Sequence, residues 1–261
     1  MNIGIIGLGV VGNACKFGFE LIGHTISIHD IKLKTNIKDV LNTEVNFICV
    51  PTPSNDDGSC DLTIVEGVIA ELNDAGYTGI VALKSTVPPG TTRQLSEKYK
   101  LNICFIPEFL RERCAISDFT EKHDVCIIGT EDEATYEKIK SCHGTLPERF
   151  IKLTTEEAEF AKYYNNIYNA TLITFANSFY EACSIKNVNY TNVKNAIINR
   201  KHINPNYLEC NDNFRGFGGM CLPKDTLAMA HMVRNTNIKF FDNLIEENKK
   251  YKTTVHNGMR K

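Results

Sequence analysis

Short apolar runs alternate with amphipathic stretches over the first half of the chain. Residues 3–6 form an isoleucine-rich run with the look of a buried strand, Asn13 to Ile22 reads as a helix, and Thr25 to His29 reads as a second strand. The strand pattern recurs at Asn46 to Val50, Ile80 to Lys84, Asn102 to Ile106 and Val125 to Gly129, the last of the series. Helices are expected over Asp61 to Ala75, after Thr92, and over Glu131 to Cys142. Strand alternating with helix predicts an α/β fold, a doubly wound parallel sheet over 1–153. From Thr154 the alternation stops. A helix capped by Thr154 or Thr155, with acids in its first turn, is expected to run to about Ile185. Thr191 to Asn199, Asp225 to about Asn235 and Asn237 to Lys252 complete an all-α domain over 154–261.

The first loop carries Gly7-Leu8-Gly9-Val10-Val11-Gly12, set between a strand and a helix, and the next strand ends at Asp30. That context turns a weak motif into a strong one. Gly7, Gly9 and Gly12 permit a tight turn and close approach to a pyrophosphate, the N-terminus of the helix that follows supplies NH groups to the phosphates, and Val10 and Val11 are counted with the glycines as cofactor-binding. Asp30 would accept hydrogen bonds from ribose hydroxyls and repel a 2′-phosphate, which favours NAD over NADP. Doubly wound sheets bind ligands beyond the carboxyl ends of their strands, and that rule gathers Thr52, Thr86, Glu108 and Glu112 into one cleft.

The helical half holds a second kind of chemistry. Gly216-Phe217-Gly218-Gly219-Met220-Cys221-Leu222-Pro223-Lys224-Asp225 places a thiol in a glycine-rich loop, followed by a cation and a carboxylate. Cys221 could attack a carbonyl carbon, Lys224 could bind an anion, and Asp225 could take a proton or order a water. Lys162 and Asn166 lie four residues apart on one helix face. Alone they read as ordinary surface residues; in the company of Cys221 they suggest donors for an oxyanion.

Composition narrows the classes. With 261 residues, 43% hydrophobic, and a net charge of −2, the chain can build two cores and has no global field for nucleic acid or an anionic membrane. The N-terminus lacks a signal-peptide pattern and no apolar run reaches a membrane span, so a soluble cytoplasmic protein is expected. The ten cysteines are scattered without a CxxC pair, which argues against a zinc ribbon or thioredoxin motif and favours a reducing compartment; no metal is expected. Cys49, Cys104 and Cys126 lie in apolar runs and read as small hydrophobes.

Six segments in order resemble the nucleotide-sugar dehydrogenase family typified by UDP-glucose 6-dehydrogenase. They are Gly7 to Gly12, Val50-Pro51-Thr52-Pro53, Lys84 to Thr91, Pro107-Glu108-Phe109-Leu110-Arg111-Glu112, Ala158 to Tyr163 with Asn166, and the cysteine loop. The resemblance implies a Rossmann-type domain, a central dimerisation domain, and oxidation of an alcohol to a carboxylate with two NAD. In that scheme Cys221 carries thiohemiacetal and thioester intermediates. Lys162 and Asn166 stabilise oxyanions, Thr86 and Asp225 order water, and Glu108 is the base for thioester hydrolysis. Glu112 and Lys224 would lie near the cofactor. Phe109, Leu110, Arg111, Tyr207, Phe217 and Gly218 would line the sugar-nucleotide pocket with Lys162 and Asn166. UDP-glucose is the preferred substrate, and a homodimer through the long helix is expected.

The departures from the family pattern are specific. The family usually continues into a third, nucleotide-binding domain, and the expectation here is a short form without it. His202-Ile203-Asn204 stands where an Arg-Ile-Gly is common, and only about twenty residues separate Asp30 from Val50. Two other readings stay open: a two-electron dehydrogenase of the 3-hydroxyacid or 6-phosphogluconate type, and a non-catalytic NAD-binding partner subunit.

Overall fold

In the computed structural model, which describes residues 1–251, seven strands form one sheet in the order β2-β1-β3-β4-β5-β6-β7. These are β1 (Asn2–Ile6), β2 (Thr25–His29), β3 (Val45–Ile48), β4 (Ile80–Leu83), β5 (Ile103–Phe105), β6 (Cys126–Gly129) and β7 (Phe150–Leu153). All neighbours are parallel except β5 and β6, which meet antiparallel at Phe105 and Gly129. The sheet is thus longer than the sequence pattern suggests. Val125 to Gly129 is not the last strand, because β7 pairs with β6 from Cys126↔Phe150 to Gly129↔Leu153. Its sequence, Phe-Ile-Lys-Leu, is only partly buried, so its apolar signal is diluted.

Side chains alternate across the sheet as the period of two demands. Ile3, Ile5, Phe47, Ala82 and Cys104 enter one core with α1 (Val10–Leu21), α4 (Ala115–Thr120) and α5 (Glu133–His143). Ile6, Ile48, Val81, Leu83 and Phe105 enter another with α2 (Thr63–Asp74) and α3 (Thr91–Tyr99). Helices on both faces make the sheet doubly wound. The chain between Asp30 and β3 is filled by two 3₁₀ turns, Ile31–Leu33 and Ile37–Val40.

The chain divides into two units, Met1–Pro53 with Cys60–Lys162, and Ser54–Ser59 with Tyr163 onward. The second is built from most of α6 (Thr155–Ile185) with α7 (Tyr190–Ile197), α8 (Leu222–Met232) and α9 (Phe240–Lys249). α8 begins three residues before the expected Asp225, since Pro223 suits a first helical turn. Of the expected last helix, Phe240–Lys249 is helical and Lys252 lies outside the described residues. Among the described residues no helix is long and apolar enough to cross a membrane.

α3 starts after Gly90, which has a φ of +90° and supplies no side chain to cap it. The cap comes from α6. Glu159, fully buried, accepts from Gly90 N (2.5 Å), Thr92 N (2.8 Å) and Thr92 Oγ1 (2.6 Å). Burial raises its pKa, against the lowering pull of those bonds.

One polar side chain makes the first unit sensitive to acid. His143 is fully buried among Phe19, Phe47, Phe119 and Phe150, with ring centroids 5.2–6.4 Å away. Its Nδ1 lies 2.9 Å from Ile139 O, and Nε2 has no hydrogen-bond partner among the described residues. Burial depresses its pKa well below the usual value, and the nearby Lys84 ammonium acts the same way. The folded protein therefore keeps His143 neutral while the unfolded chain takes up a proton below about pH 6.5. Stability is full above that pH and is lost as pH falls, by up to about 1.4 kcal/mol per pH unit for this group. Urea midpoints measured from pH 7 to pH 5 should fall, and less steeply in His143→Phe; equal slopes would refute the assignment.

Candidate active site

The strand order reverses direction at β1, whose neighbours are β2 and β3, and such switch points are where doubly wound sheets hold ligands. Gly7 turns there with a φ of +89°. A Cβ on Gly12 would stand 2.0 Å from Gly7 O, so α1 packs against the turn only with glycine at that position. A Cβ on Gly9, by contrast, would meet nothing within 4 Å. Gly9 is also the N-cap of α1, with no side-chain hydrogen bond to it and no acid in the first turn, which leaves the end of α1 open to an anion. Val10 is 44% exposed beside it.

Asp30 reaches the same turn. Its Oδ2 accepts from Leu8 N at 2.6 Å and its Oδ1 from Lys32 N at 2.7 Å. The bond from Leu8, more than any other interaction, holds its carboxyl below the ordinary range. A glycine cradle, an uncapped helix end and a fixed carboxylate together fit the pyrophosphate and ribose of a dinucleotide.

Thr52 and Thr86 come together in the first unit: Thr52 Oγ1 donates to Thr86 O at 2.8 Å. Glu108 is buried, and its Oε2 lies 2.9 Å from the ammonium of Lys84, itself 4% exposed. Its Oε1 accepts from Phe109 N at 2.9 Å. Burial opposes the charged carboxylate, but Lys84 outweighs it and holds the pKa of Glu108 below the usual range. Lys162 donates to the carbonyl oxygen of Glu108, and its ammonium stands 5.5 Å from the Phe109 ring centroid. Glu108 as found is therefore an ion-paired anchor for Lys162.

Leu110 is half-buried against the core, whereas Arg111 and Glu112 are exposed. Arg111 is held by Asp118, whose Oδ2 accepts from Arg111 N and Nε (both 2.9 Å) and whose Oδ1 accepts from Nη2 (2.6 Å). The Arg111 guanidinium lowers the Asp118 pKa to about 2.

The second unit presents Cys221 at the N-cap of α8, exposed to solvent. One turn on, Asp225 is fully buried; its N donates to Cys221 O at 2.9 Å. Lys224 Nζ lies 2.5 Å from Asp225 Oδ1, and Asn166 Nδ2 donates to Oδ2 at 2.5 Å. Asn166 thus contacts the carboxylate one turn from the thiol. Tyr207 has a φ of +65°, a strained conformation for a non-glycine residue. Phe217 is 3% exposed in a core with Tyr163 and Ile167, so its ring faces inward, while Gly218 is half-buried.

The sequence pointed to Cys221, Asp225, Lys162, Asn166 and Glu108 as candidates but not to the residues that hold them. Lys84 ends an apolar strand run, where a charge must be buried and paired; that was a legible signal. Glu159 and Asp118 gave none, because the partners of Glu159 are distant in sequence and Asp118 lies in α4, a helix the sequence pattern does not reveal.

Taken together, the switch-point cradle and its fixed carboxylate define a dinucleotide-binding protein of Rossmann type, here joined to a helical unit with an exposed cysteine. Residues 30–146 match the NAD-binding domain, and residues 156–250 the central domain, of the UDP-glucose/GDP-mannose dehydrogenase family. The chain belongs to that family, and NAD is the cofactor its first unit is built to hold. It is 29% identical to the UDP-glucose 6-dehydrogenase AglM of Haloferax volcanii, over 90% of this chain and 66% of the relative. To the GDP-mannose 6-dehydrogenase of Pseudomonas aeruginosa it is 30% identical, over 92% of this chain and 66% of that one. A UDP-glucose dehydrogenase from Pyrobaculum islandicum superposes with a TM-score of 0.86 at 26% identity, covering 95% of this chain and 68% of that structure. The chain spans just under two thirds of the first relatives' length, 66% and 65%.

Proposed function

We propose that this chain oxidises a nucleotide sugar, UDP-glucose in first place, to the corresponding uronate by two successive oxidations at one carbon. The observation that carries the reading is an exposed thiol at a helix N-cap with a buried carboxylate one turn away, held by a lysine and an asparagine. Gly7, Gly9, Gly12, Val10, Val11 and Asp30 would hold NAD, which when bound would supply the hydride acceptor for each oxidation.

The side chains do the rest. In the first oxidation Asp225, through a water, takes the proton of the sugar C6 hydroxyl. The Cys221 thiolate then adds to the aldehyde carbon, and the oxyanion formed accepts hydrogen bonds from Lys162 and Asn166 before it is protonated. The second oxidation converts this thiohemiacetal to a thioester. Water ordered by Thr86 and Asp225 attacks the thioester carbonyl and passes one proton to Asp225; the carbon–sulfur bond breaks, and the acid leaves as carboxylate, its proton released to solvent, with Cys221 restored as thiolate. Glu108 serves this step through Lys162, whose ammonium it anchors, and acts as a base only when its pair with Lys84 opens. Thr52, Glu112 and Lys224 remain assigned to the cofactor, and Phe109, Leu110, Arg111, Tyr207 and Gly218 to the sugar nucleotide.

Two NADH per uronate are expected from the full chain incubated with NAD and UDP-glucose, with GDP-mannose and UDP-N-acetylmannosamine as alternatives. One NADH per substrate, with no acid formed, would replace this reading by the two-electron one. A homodimer is part of the proposal. Tyr164, Tyr168, Phe175 and Phe179 recur at helical spacing on α6, each between 45% and 77% exposed, and form an apolar stripe suited to a second copy. Light scattering should give twice the 29.3 kDa of one chain, and a monomer at working concentration would overturn this part.

A further inference from the structure

Two helices grip Arg215, Gly216 and Phe217 at the start of the cysteine loop. Asn177, on α6 and fully buried, accepts at Oδ1 from Arg215 Nε (2.8 Å), Gly216 N (3.1 Å) and Cys210 Sγ (3.4 Å). Its Nδ2 donates to Ile173 O at 2.7 Å, so both ends of the amide are used. Asn248, on α9, takes both backbone groups of Phe217: Phe217 N donates to Oδ1 at 2.7 Å, and Nδ2 donates to Phe217 O at 2.8 Å. The guanidinium of Arg215 pairs with Glu181 and lies 4.8 Å and 4.5 Å from the ring centroids of Tyr180 and Tyr251. Backbone here is irregular, with Gly216 at a φ of +66°, and buried irregular backbone must find side-chain partners. The two asparagines supply them.

We propose that Asn177 and Asn248 are positioning residues for Cys221. They fix Arg215–Phe217, and only Gly218, Gly219 and Met220 lie between that clamp and the thiol. Gly219 turns at a φ of +80°, and the chain then enters α8 with Cys221 as its N-cap. α6 holds this loop from both sides. Asn166 bonds Asp225 in the first turn of α8, and Asn177, three helical turns later on the same face, holds Gly216. One rigid helix thereby sets the distance between the loop's entry and the carboxylate beyond its exit. Reactions through a covalent intermediate are sensitive to such placement, and a shift of about 1 Å can cost roughly a hundredfold in rate.

The inference rests on Cys221 being the nucleophile, and the experiment separates the two. The full chain and its Cys221→Ala, Asn248→Ala, Asn177→Ala and Asn177→Asp variants are assayed with NAD and UDP-glucose, and their amide hydrogen exchange is followed. Asn248→Ala is expected to lower kcat by about 30-fold, with the KM for NAD unchanged within about twofold. The Phe217 amide should exchange at least about tenfold faster while the middle of α8 keeps its protection. Asn177→Ala should lose as much activity. Asn177→Asp, which keeps an acceptor toward Arg215 and Gly216, should remain within about threefold of the parent protein. Wild-type kcat in both alanine variants, with Cys221→Ala inactive, would overturn the clamp and leave the nucleophile standing. Full turnover by Cys221→Ala would remove the nucleophile and the clamp's purpose together. If Asn177→Ala does not fold, Asn248→Ala decides, since Asn248 is only half-buried.

Discussion

Replacing Cys221 by alanine is expected to end uronate formation, lowering kcat with UDP-glucose and NAD by at least about a thousandfold. No other thiol can stand in for it. Of the ten cysteines Cys221 alone is exposed. Cys104, Cys126 and Cys142 are buried in the sheet core, and burial pushes the thiols of Cys126 and Cys142 up to about 12, where they are not thiolates at neutral pH. The variant should still bind NAD with the parent affinity, because Gly7 to Gly12 and Asp30 belong to the other unit. Titration of NAD binding separates this outcome from general misfolding. Iodoacetamide should label Cys221 first in the parent protein. Sustained turnover by the alanine variant would sink the covalent scheme.

Lys84→Met is expected to destabilise the first unit by roughly 3–5 kcal/mol, the cost of leaving one member of a buried pair unpaired. Lys84 and Glu108 are 4% and 7% exposed, so water cannot replace the lost partner. The double variant Lys84→Met, Glu108→Gln should recover most of the loss, because two neutral side chains of similar size make no such demand. The pH dependence gives an independent check. In the parent protein Glu108 has a depressed pKa, so its contribution is present above the ordinary carboxylate range and is lost as pH falls. In Lys84→Met burial acts without the opposing ammonium and raises the Glu108 pKa, so the folded state gains protons more readily than the unfolded chain. The stability gap between the two proteins should therefore narrow from pH 7 to pH 4. A constant gap in urea midpoints would show that the pair is not the cause. Activity should fall as well, since Glu108 O holds the Lys162 ammonium.

Much of this was readable from the chain, for physical reasons that also mark where reading stopped. β1, β3 and β4 are apolar enough to be seen without coordinates, and the glycine spacing located the dinucleotide cradle because Gly7 turns at a positive φ and a Cβ at Gly12 would strike Gly7 O. The cysteine loop was conspicuous for the same reason. β7 escaped because none of its four residues is fully buried, Ile151 is exposed, and its run is broken by Lys152. α4 escaped because six residues are too few to show a period. Chemical type could be read for Glu108 and Asn166, but not the partner of each. That Glu108 meets Lys84, and that Asn166 meets Asp225 rather than open space, follows from packing between segments remote in sequence. Asn177 looked unremarkable for the same reason, since a buried asparagine in a helix declares itself only through what it holds.

The cap on α3 has a consequence for synthesis. Glu159 is separated from the amides it binds by 69 and 67 residues. As the chain leaves the ribosome, β4 and the start of α3 emerge long before their capping carboxylate does. Until α6 has been made as far as Glu159, in its second turn, the amides of Gly90 and Thr92 lack that carboxylate. The sheet can assemble in that interval, but its helix layer cannot be completed by residues 1–153 alone. The nascent chain closes its first unit by drawing on the helix that opens the second.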